Sequence, residues 1–206
     1  VATDTTTLNF TSHPATKGLG YICDRKDTQG IIVHDTMSFT TQGTPLGLIN
    51  VQCWVRSLMG TKHQRKEKPI EEKESFKWIE SYRAVCAVQK QCKTTRLIMI
   101  ADREGDIHEL FCERLKHPGS AELLVRAERS RNRKVIDEEE NHDYLWNFLG
   151  NQPVQDTRKL LLPPSEDRPC CRQAELDVRS AEVTLKAPRK SKAPSVKLFA
   201  VYALEA

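Results

Sequence analysis

No stretch of this 206-residue chain approaches the ~20 consecutive apolar residues that a membrane-spanning helix needs, so a helical span is excluded. No apolar secretory segment opens it, and none of its seven cysteines (Cys23, Cys53, Cys86, Cys92, Cys112, Cys170, Cys171) pairs with another at CxxC spacing. Cysteine and histidine form no cluster with zinc-ligand spacing; His34, His63, His108, His117 and His142 are scattered. The odd thiol count reads as mostly buried or free cysteines of a reducing, cytoplasmic compartment. An excess of one charge is also missing. The formal net charge is only +4, too small to identify a polyanionic partner. There is no start methionine, and Val1 opens inside a strand-like segment, so the sequence reads as a piece of a longer protein.

What the chain does have is 38% hydrophobic and 29% charged residues, an ordinary balance for a folded core. Its most informative stretch is residues 96–110, RLIMIADREGDIHEL. Leu97, Ile98, Met99, Ile100 and Ala101 run without alternation, as expected of a strand covered on both faces in a sheet with parallel neighbours. Asp102 stands where that run stops, on the sheet rim where α/β folds bind ligands. Gly105 is expected to let the chain turn, Asp106 to cap a helix, and Ile107, Leu110, Phe111 and Leu115 to form its apolar face. A strand-end Asp is often only a cap or turn former. A second strand-borne acid changes the weighing: Asp4 lies in the Thr-rich, β-favouring segment 1–10. The two can meet only if their strands are neighbours.

Taken in order, the chain suggests strands over residues 1–10, 31–41 and 46–55, with a loop at 13–30 and a Gly43-Thr44-Pro45 turn. A polar connector follows. Phe76, Ile79, Tyr82 and Cys86 then recur at helical spacing, with Glu71, Glu72 and Glu74 near the start, where carboxylates suit the helix dipole. The central strand, a helix and a fifth strand at 123–125 complete an α/β sheet with an antiparallel front end. Beyond residue 130 a short helix fits 143–149. Period-two alternation through Ala174, Leu176, Val178 and then Ala181, Val183, Leu185 marks half-buried antiparallel strands, and 196–204 reads as one more. The expected organisation is an α/β core over 1–130 and a β-rich lobe over 131–206. Trp54, Trp78 and Trp146 read as core or hairpin-face residues.

Basic residues gather in three groups: Lys62, Arg65, Lys66 and Lys68; Arg126, Arg129, Arg131, Arg133 and Lys134; and Lys186, Arg189, Lys190 and Lys192. Such loops can hold a phosphate backbone, although a solvated loop is the plainer reading of any one group.

DTTTL at 4–8, EKESFKWI at 72–79 and ADREGDIHEL at 101–110 occur in the order seen in bacterial insertion-sequence transposases of the DDE class, and the chain resembles that family throughout its length. The resemblance implies a ribonuclease-H-like core with catalytic acids on its first and fourth strands, corresponding to Asp4 and Asp102, and a β-rich insertion after the fifth strand. It implies cleavage of transposon ends, a hairpin step and insertion into target double-stranded DNA, with Arg126 near DNA and a dimer formed by the full-length parent. Arg103, beside Asp102, would meet a phosphate or simply pair with Glu104.

The chemistry agrees with the residue types. Phosphodiester cleavage or strand transfer by two metal ions needs an activated nucleophile and a neutralised leaving oxygen, and carboxylates suit hard Mg²⁺ or Mn²⁺. The repulsion between Asp4 and Asp102 would be relieved by such a cation. The family's third acid, a helical Glu in a Tyr-Arg-Glu-Lys signature, has no counterpart before Ala206. Glu205 sits in a strand-like context without those neighbours, and Glu104, Asp106 and Glu109 suit cap and helix-surface roles. The expectation is an enzyme in the parent and an inactive piece here. Two alternatives stand beside it. One is a non-catalytic DNA-binding or assembly module that uses the basic loops. The other is a phosphotransferase with a strand-end Asp nucleophile, disfavoured because Thr6 occupies the place of its second Asp.

Overall fold

The computed structural model describes residues 1–23, 27–56, 68–136, 142–165, 168–188 and 191–205, which divide into two units, Val1–Glu128 and Arg129–Ala206. Lys62, His63, Arg65, Lys66, Arg189 and Lys190 lie outside the described residues, as does the side chain of His142. No described helix is long and apolar enough to cross a membrane.

Thr, Val and Ile dominate the early strands of the first unit, and the β-branched side chains pack on a pleated sheet. Strand β1 (Ala2–Asn9) pairs antiparallel with β3 (Gln29–Phe39), from Ala2 opposite Met37 to Asn9 opposite Gly30. On its far side β3 takes both the two-residue β2 (Gly20–Tyr21) and β4 (Pro45–Trp54). The β3–β4 turn passes through Gly43 at φ 88°, which any Cβ would strain. On its other edge β1 runs parallel to β5 (Ile98–Ala101), and β5 parallel to β6 (Glu122–Val125). The result is a mixed sheet, antiparallel in front and parallel behind, with β1 at the junction.

Helix α1 (Phe76–Gln91) buries Trp78, Ile79, Tyr82, Val85 and Cys86 against Met99 and Ala101 of β5, Leu110 of α2 (His108–Lys116) and Ala121. The Tyr82 hydroxyl donates to the Ala121 carbonyl at 2.7 Å, which satisfies a polar atom deep in this core. Glu113, also buried, accepts from Arg83, Lys116 and His117. Burial pushes its carboxyl up, but those three donors outweigh burial and hold it at about 2.

Several expectations change on contact with the structure. The central strand is covered on one face only: Met99 and Ala101 are buried, while Ile98 is 44% and Ile100 47% exposed. Both described helices that pack on β5 do so from the Met99 side, so the unbroken apolar run did not mean two covers. Asp106 is not the N-cap of α2; its backbone N–H closes the 3-10 turn on the Arg103 carbonyl. Ile107 occupies the N-cap of α2, and the buried Asp106 accepts instead from the Glu128 backbone N–H at 2.9 Å. Leu115 points away from the α2 core face at 49% exposure. Glu71 and Glu72 belong to a separate 3-10 turn (Ile70–Glu72), and Glu74 pairs with Arg56, so none sits in the first turn of α1. Gly105 is required for space rather than for a turn: a Cβ there would lie 2.7 Å from the Ala101 Cβ and 3.3 Å from the Trp78 ring. Among the seven thiols, all unbridged, Cys86 alone is buried and Cys23, Cys53, Cys170 and Cys171 are exposed.

The strands of the second unit are β7 (Lys134–Ile136), β8 (His142–Tyr144), β9 (Asp156–Leu162), β10 (Arg172–Leu185) and β11 (Val196–Glu205). They form an antiparallel sheet ordered β11-β10-β7-β8, with β9 also pairing β10. A short helix α3 (Leu145–Gly150) contributes Leu145 and Leu149 to a core with Val135, Val183 and Leu185. Of residues 173–186, all but Lys186 lie in one 14-residue strand, β10, rather than several. Ala174, Leu176 and Val178 therefore face one side of it, and Ala181, Val183 and Leu185 the other.

Gly105→Ala is expected to destabilise the chain by about 1–3 kcal/mol, the usual cost of overpacking a closed site. Urea denaturation measures this. An unchanged midpoint would mean that Ala101 and Trp78 give way freely.

Candidate active site

The parallel register of β1 and β5 pairs Ala2 with Ile100 and Thr3 with Ala101, so the next step along both strands sets Asp4 beside Asp102. Alternation fixes the side. Thr3, Met99 and Ala101 are buried, whereas Ala2, Asp4, Ile98, Ile100 and Asp102 are exposed, so both carboxylates belong to the open face. The backbone of Asp102 is still extended, at φ −75° and ψ −168°. Two positions 98 residues apart in sequence thus become neighbours because β1 inserts between the hairpin and β5.

The same row continues on both sides. Asp35 of β3 is the register partner of Asp4, and on the β6 side Ala101 pairs with Val125, which sets Arg126 next to Asp102. The Arg126 backbone N–H donates to the Ala101 carbonyl at 3.0 Å, which holds that end of the row to the sheet. Sequence reasoning missed Asp35, since only the β1–β3 register exposes it. Like charges directly opposite on a sheet repel, so the row is electrostatically unfavourable without a cation.

Each of the two predicted acids has one oxygen engaged locally. Asp4 Oδ1 accepts from the Thr5 N–H at 2.7 Å, and Asp102 Oδ1 accepts from the Glu104 N–H at 2.8 Å. The second bond caps a 3-10 turn (Arg103–Gly105) that follows β5 directly. Both carboxylates are exposed hard-oxygen donors, which fits a Mg²⁺ or Mn²⁺ ion that keeps several of its waters. Among the described residues no three His, Cys, Asp or Glu side chains stand close enough to form a ligand set. Arg103 is exposed on the turn, and Glu104 pairs with Lys77 rather than with it.

On the covered face, beneath Asp4, His34 is fully buried. Its Nδ1 lies 2.8 Å from Thr5 Oγ1, and its ring meets Trp78 edge-on at 4.6 Å between centroids. Burial, followed by the Lys77 ammonium, pulls its pKa down to about 4 against the opposing pull of the Asp4 backbone and the Asp102 carboxylate. His34 is therefore neutral at neutral pH.

The remaining predicted positions are in the second unit. Arg129, Arg131 and Lys134 are exposed and Arg133 is half-buried. Trp146 Nε1 donates to the Arg129 carbonyl at 3.1 Å, and the Leu145 N–H donates to the Arg133 carbonyl at 2.9 Å, which pins this basic loop to α3. Lys134 rests over the Tyr144 ring, 5.9 Å from its centroid. Glu205 is tied to Arg172 on the neighbouring strand, which lowers its carboxyl.

No protein-family model matches the chain. Among solved structures it is similar to piggyBac transposase in a cryo-EM synaptic complex with hairpin DNA, at 13% sequence identity and a TM-score of 0.39. The match covers 96% of this chain and 32% of that one, so the chain spans about a third of its length. At that identity and TM-score the likeness identifies neither a family nor an activity.

The fold refuses a proton at His34 that the unfolded chain accepts below its ordinary value, 6.5. Between 6.5 and about 4 the unfolded state therefore binds more protons, and stability falls as pH falls, by about 3 kcal/mol at most. Urea midpoints of wild type and His34→Gln compared from pH 7.5 to 4 isolate this contribution. The variant is expected to lose stability less steeply, and parallel curves would contradict the assignment.

Proposed function

We propose that the chain is part of the catalytic core of a DDE-class DNA transposase with a ribonuclease-H-like sheet, in which Asp4 and Asp102 hold Mg²⁺ or Mn²⁺ against a phosphodiester. The observation that carries the reading is the β1–β5 register, which brings together the two acids that the sequence resemblance singles out. The antiparallel hairpin, the junction strand β1 and the parallel pair β5–β6 support the fold assignment.

When bound, the cation would polarise the phosphodiester and stabilise charge on the attacking and leaving oxygens. The chain's own residues prepare for it. Asp4 and Asp102 present one oxygen each while a backbone N–H orients the other, and Arg126 stands at the end of the row as a cation for a phosphate oxygen. Arg103 adds a second exposed cation on the turn after Asp102. The basic loop with Arg129, Arg131 and Arg133, together with Lys134 at the start of β7, would contact the DNA backbone without reading sequence. The family's third acid has no counterpart within residues 1–206, so cation and DNA binding, rather than strand cleavage, are the properties to measure on this chain.

Mn²⁺ titration followed by electron paramagnetic resonance is the direct test. Wild type is expected to bind Mn²⁺, and Asp4→Asn or Asp102→Asn to weaken binding by about tenfold or more, one lost charge–charge contact being worth over 1.4 kcal/mol at such a site. Equal binding by all three would end the proposal.

Duplex DNA binding supplies a separate check. Replacing Arg129, Arg131 and Lys134 together by Ala should weaken affinity for unrelated sequences alike and flatten the log-affinity against log-salt slope by about 1 per lost phosphate contact. Wild-type affinity in that triple variant would remove the loop from the interface.

A further inference from the structure

We infer that Lys77 is a positioning residue for Asp102, acting through Glu104, and that it presets the carboxylate before a cation arrives; this rests on the reading of Asp4 and Asp102 as cation ligands.

Lys77 lies in the first turn of α1 with its side chain only 9% exposed, and its Nζ is 3.0 Å from Glu104 Oε2. The ammonium also sits 5.7 Å from the centroid of the Trp54 ring and 5.8 Å from that of Trp78, which gives the buried charge two aromatic faces. Its backbone carbonyl accepts from Gln52 Nε2 at 3.0 Å, so the lysine is fixed to β4 at one end and to the 103–105 turn at the other.

A lysine is a costly way to fill this space. Burying an ammonium carries a desolvation penalty, and its partner Glu104 is 63% exposed, so the pair adds little net stability. An apolar side chain of the same length between two indoles would serve the core as well. What only the charged residue supplies is a tether on Glu104, the residue whose backbone N–H holds Asp102 Oδ1 at 2.8 Å. Gly105, packed against Trp78, locks the other end of the turn. The turn is thus held from both sides, and the Asp102 carboxylate inherits that orientation. Groups behind a metal ligand act in this way, by fixing its geometry rather than by touching the metal.

The test uses the whole chain and Mn²⁺ binding by electron paramagnetic resonance, with thermal unfolding run in parallel. Lys77→Met and Glu104→Gln are each expected to weaken Mn²⁺ binding by about tenfold, the size usual for a residue that supports a ligand. The double variant should be no weaker than either single one. Lys77→Arg, which keeps the charge, should stay within about twofold of wild type. Wild-type Mn²⁺ affinity in Lys77→Met, alongside lost binding in Asp102→Asn, would overturn the inference while leaving the proposed function intact. Undiminished binding in Asp4→Asn and Asp102→Asn would remove the function itself. If Lys77→Met does not fold, Glu104→Gln decides, because its exposed side chain can be changed without opening the core. Unaltered affinity there overturns the inference, as would a tenfold loss in Lys77→Arg.

Discussion

The parallel pairing of β1 with β5 is short, and the first unit is organised by it. The Val1 nitrogen donates to the Ile98 carbonyl at 2.8 Å, and the Ile100 N–H donates to the Val1 carbonyl at 2.7 Å. These bonds join a hairpin-fed antiparallel sheet to a parallel one whose strands need crossover helices. A slip of one residue would turn Asp4 to the covered face and bring Thr3 or Thr5 out in its place. The register is guarded by burial: Thr3 is 5% exposed, and Met99 and Ala101 lie under α1 and α2. Core packing on one face therefore sets which side chains the other presents.

How much of this was legible depends on the range over which each signal acts. Asp102 was legible because an apolar run ending in an acid is a local pattern, and α1 because Phe76, Ile79 and Tyr82 recur at its period. The adjacency of Asp4 and Asp102 was not, since it depends on strand order; only the family resemblance suggested it. Asp35 needed a register across a loop of nearly 20 residues, which no periodicity encodes. Lys77 carries no local signal, because its place between two indoles is a tertiary fact. The strands β2, β7 and β8 have two or three residues each, too few to leave an alternation.

The reading of residues 97–101 failed for an instructive reason. Unbroken hydrophobicity reports that neither side chain set belongs in water, but it does not say what covers each set. Met99 and Ala101 meet the helices, whereas Ile98, Ile100 and, across on β6, Leu124 remain about half exposed. Asp106 and Gly105 misled similarly: each is a residue type with a common local use, and in each case a long-range contact decided the matter. Local rules name what a residue can do, and packing selects among those uses.

The open face and the carboxylate row are the same face, and this links the two unusual features of the first unit. Ile100 and Asp102 are two positions apart on one extended segment, a separation of about 6.6 Å. Any element that covered Ile98, Ile100 and Leu124 would lie alongside Asp102, with its polar groups within reach of the cation proposed there. Burial of that apolar surface, at ~25 cal/mol per Å², would supply the driving force, while the acids would specify which groups are tolerated at the edge of the contact. An element with a further carboxylate facing the row would be repelled unless a divalent cation lay between them. If Asp4 and Asp102 hold a cation as proposed, covering this face and loading the acids would be thermodynamically linked: each would favour the other where the covering element brings an anionic ligand, and each would oppose the other where it brings a lysine or arginine.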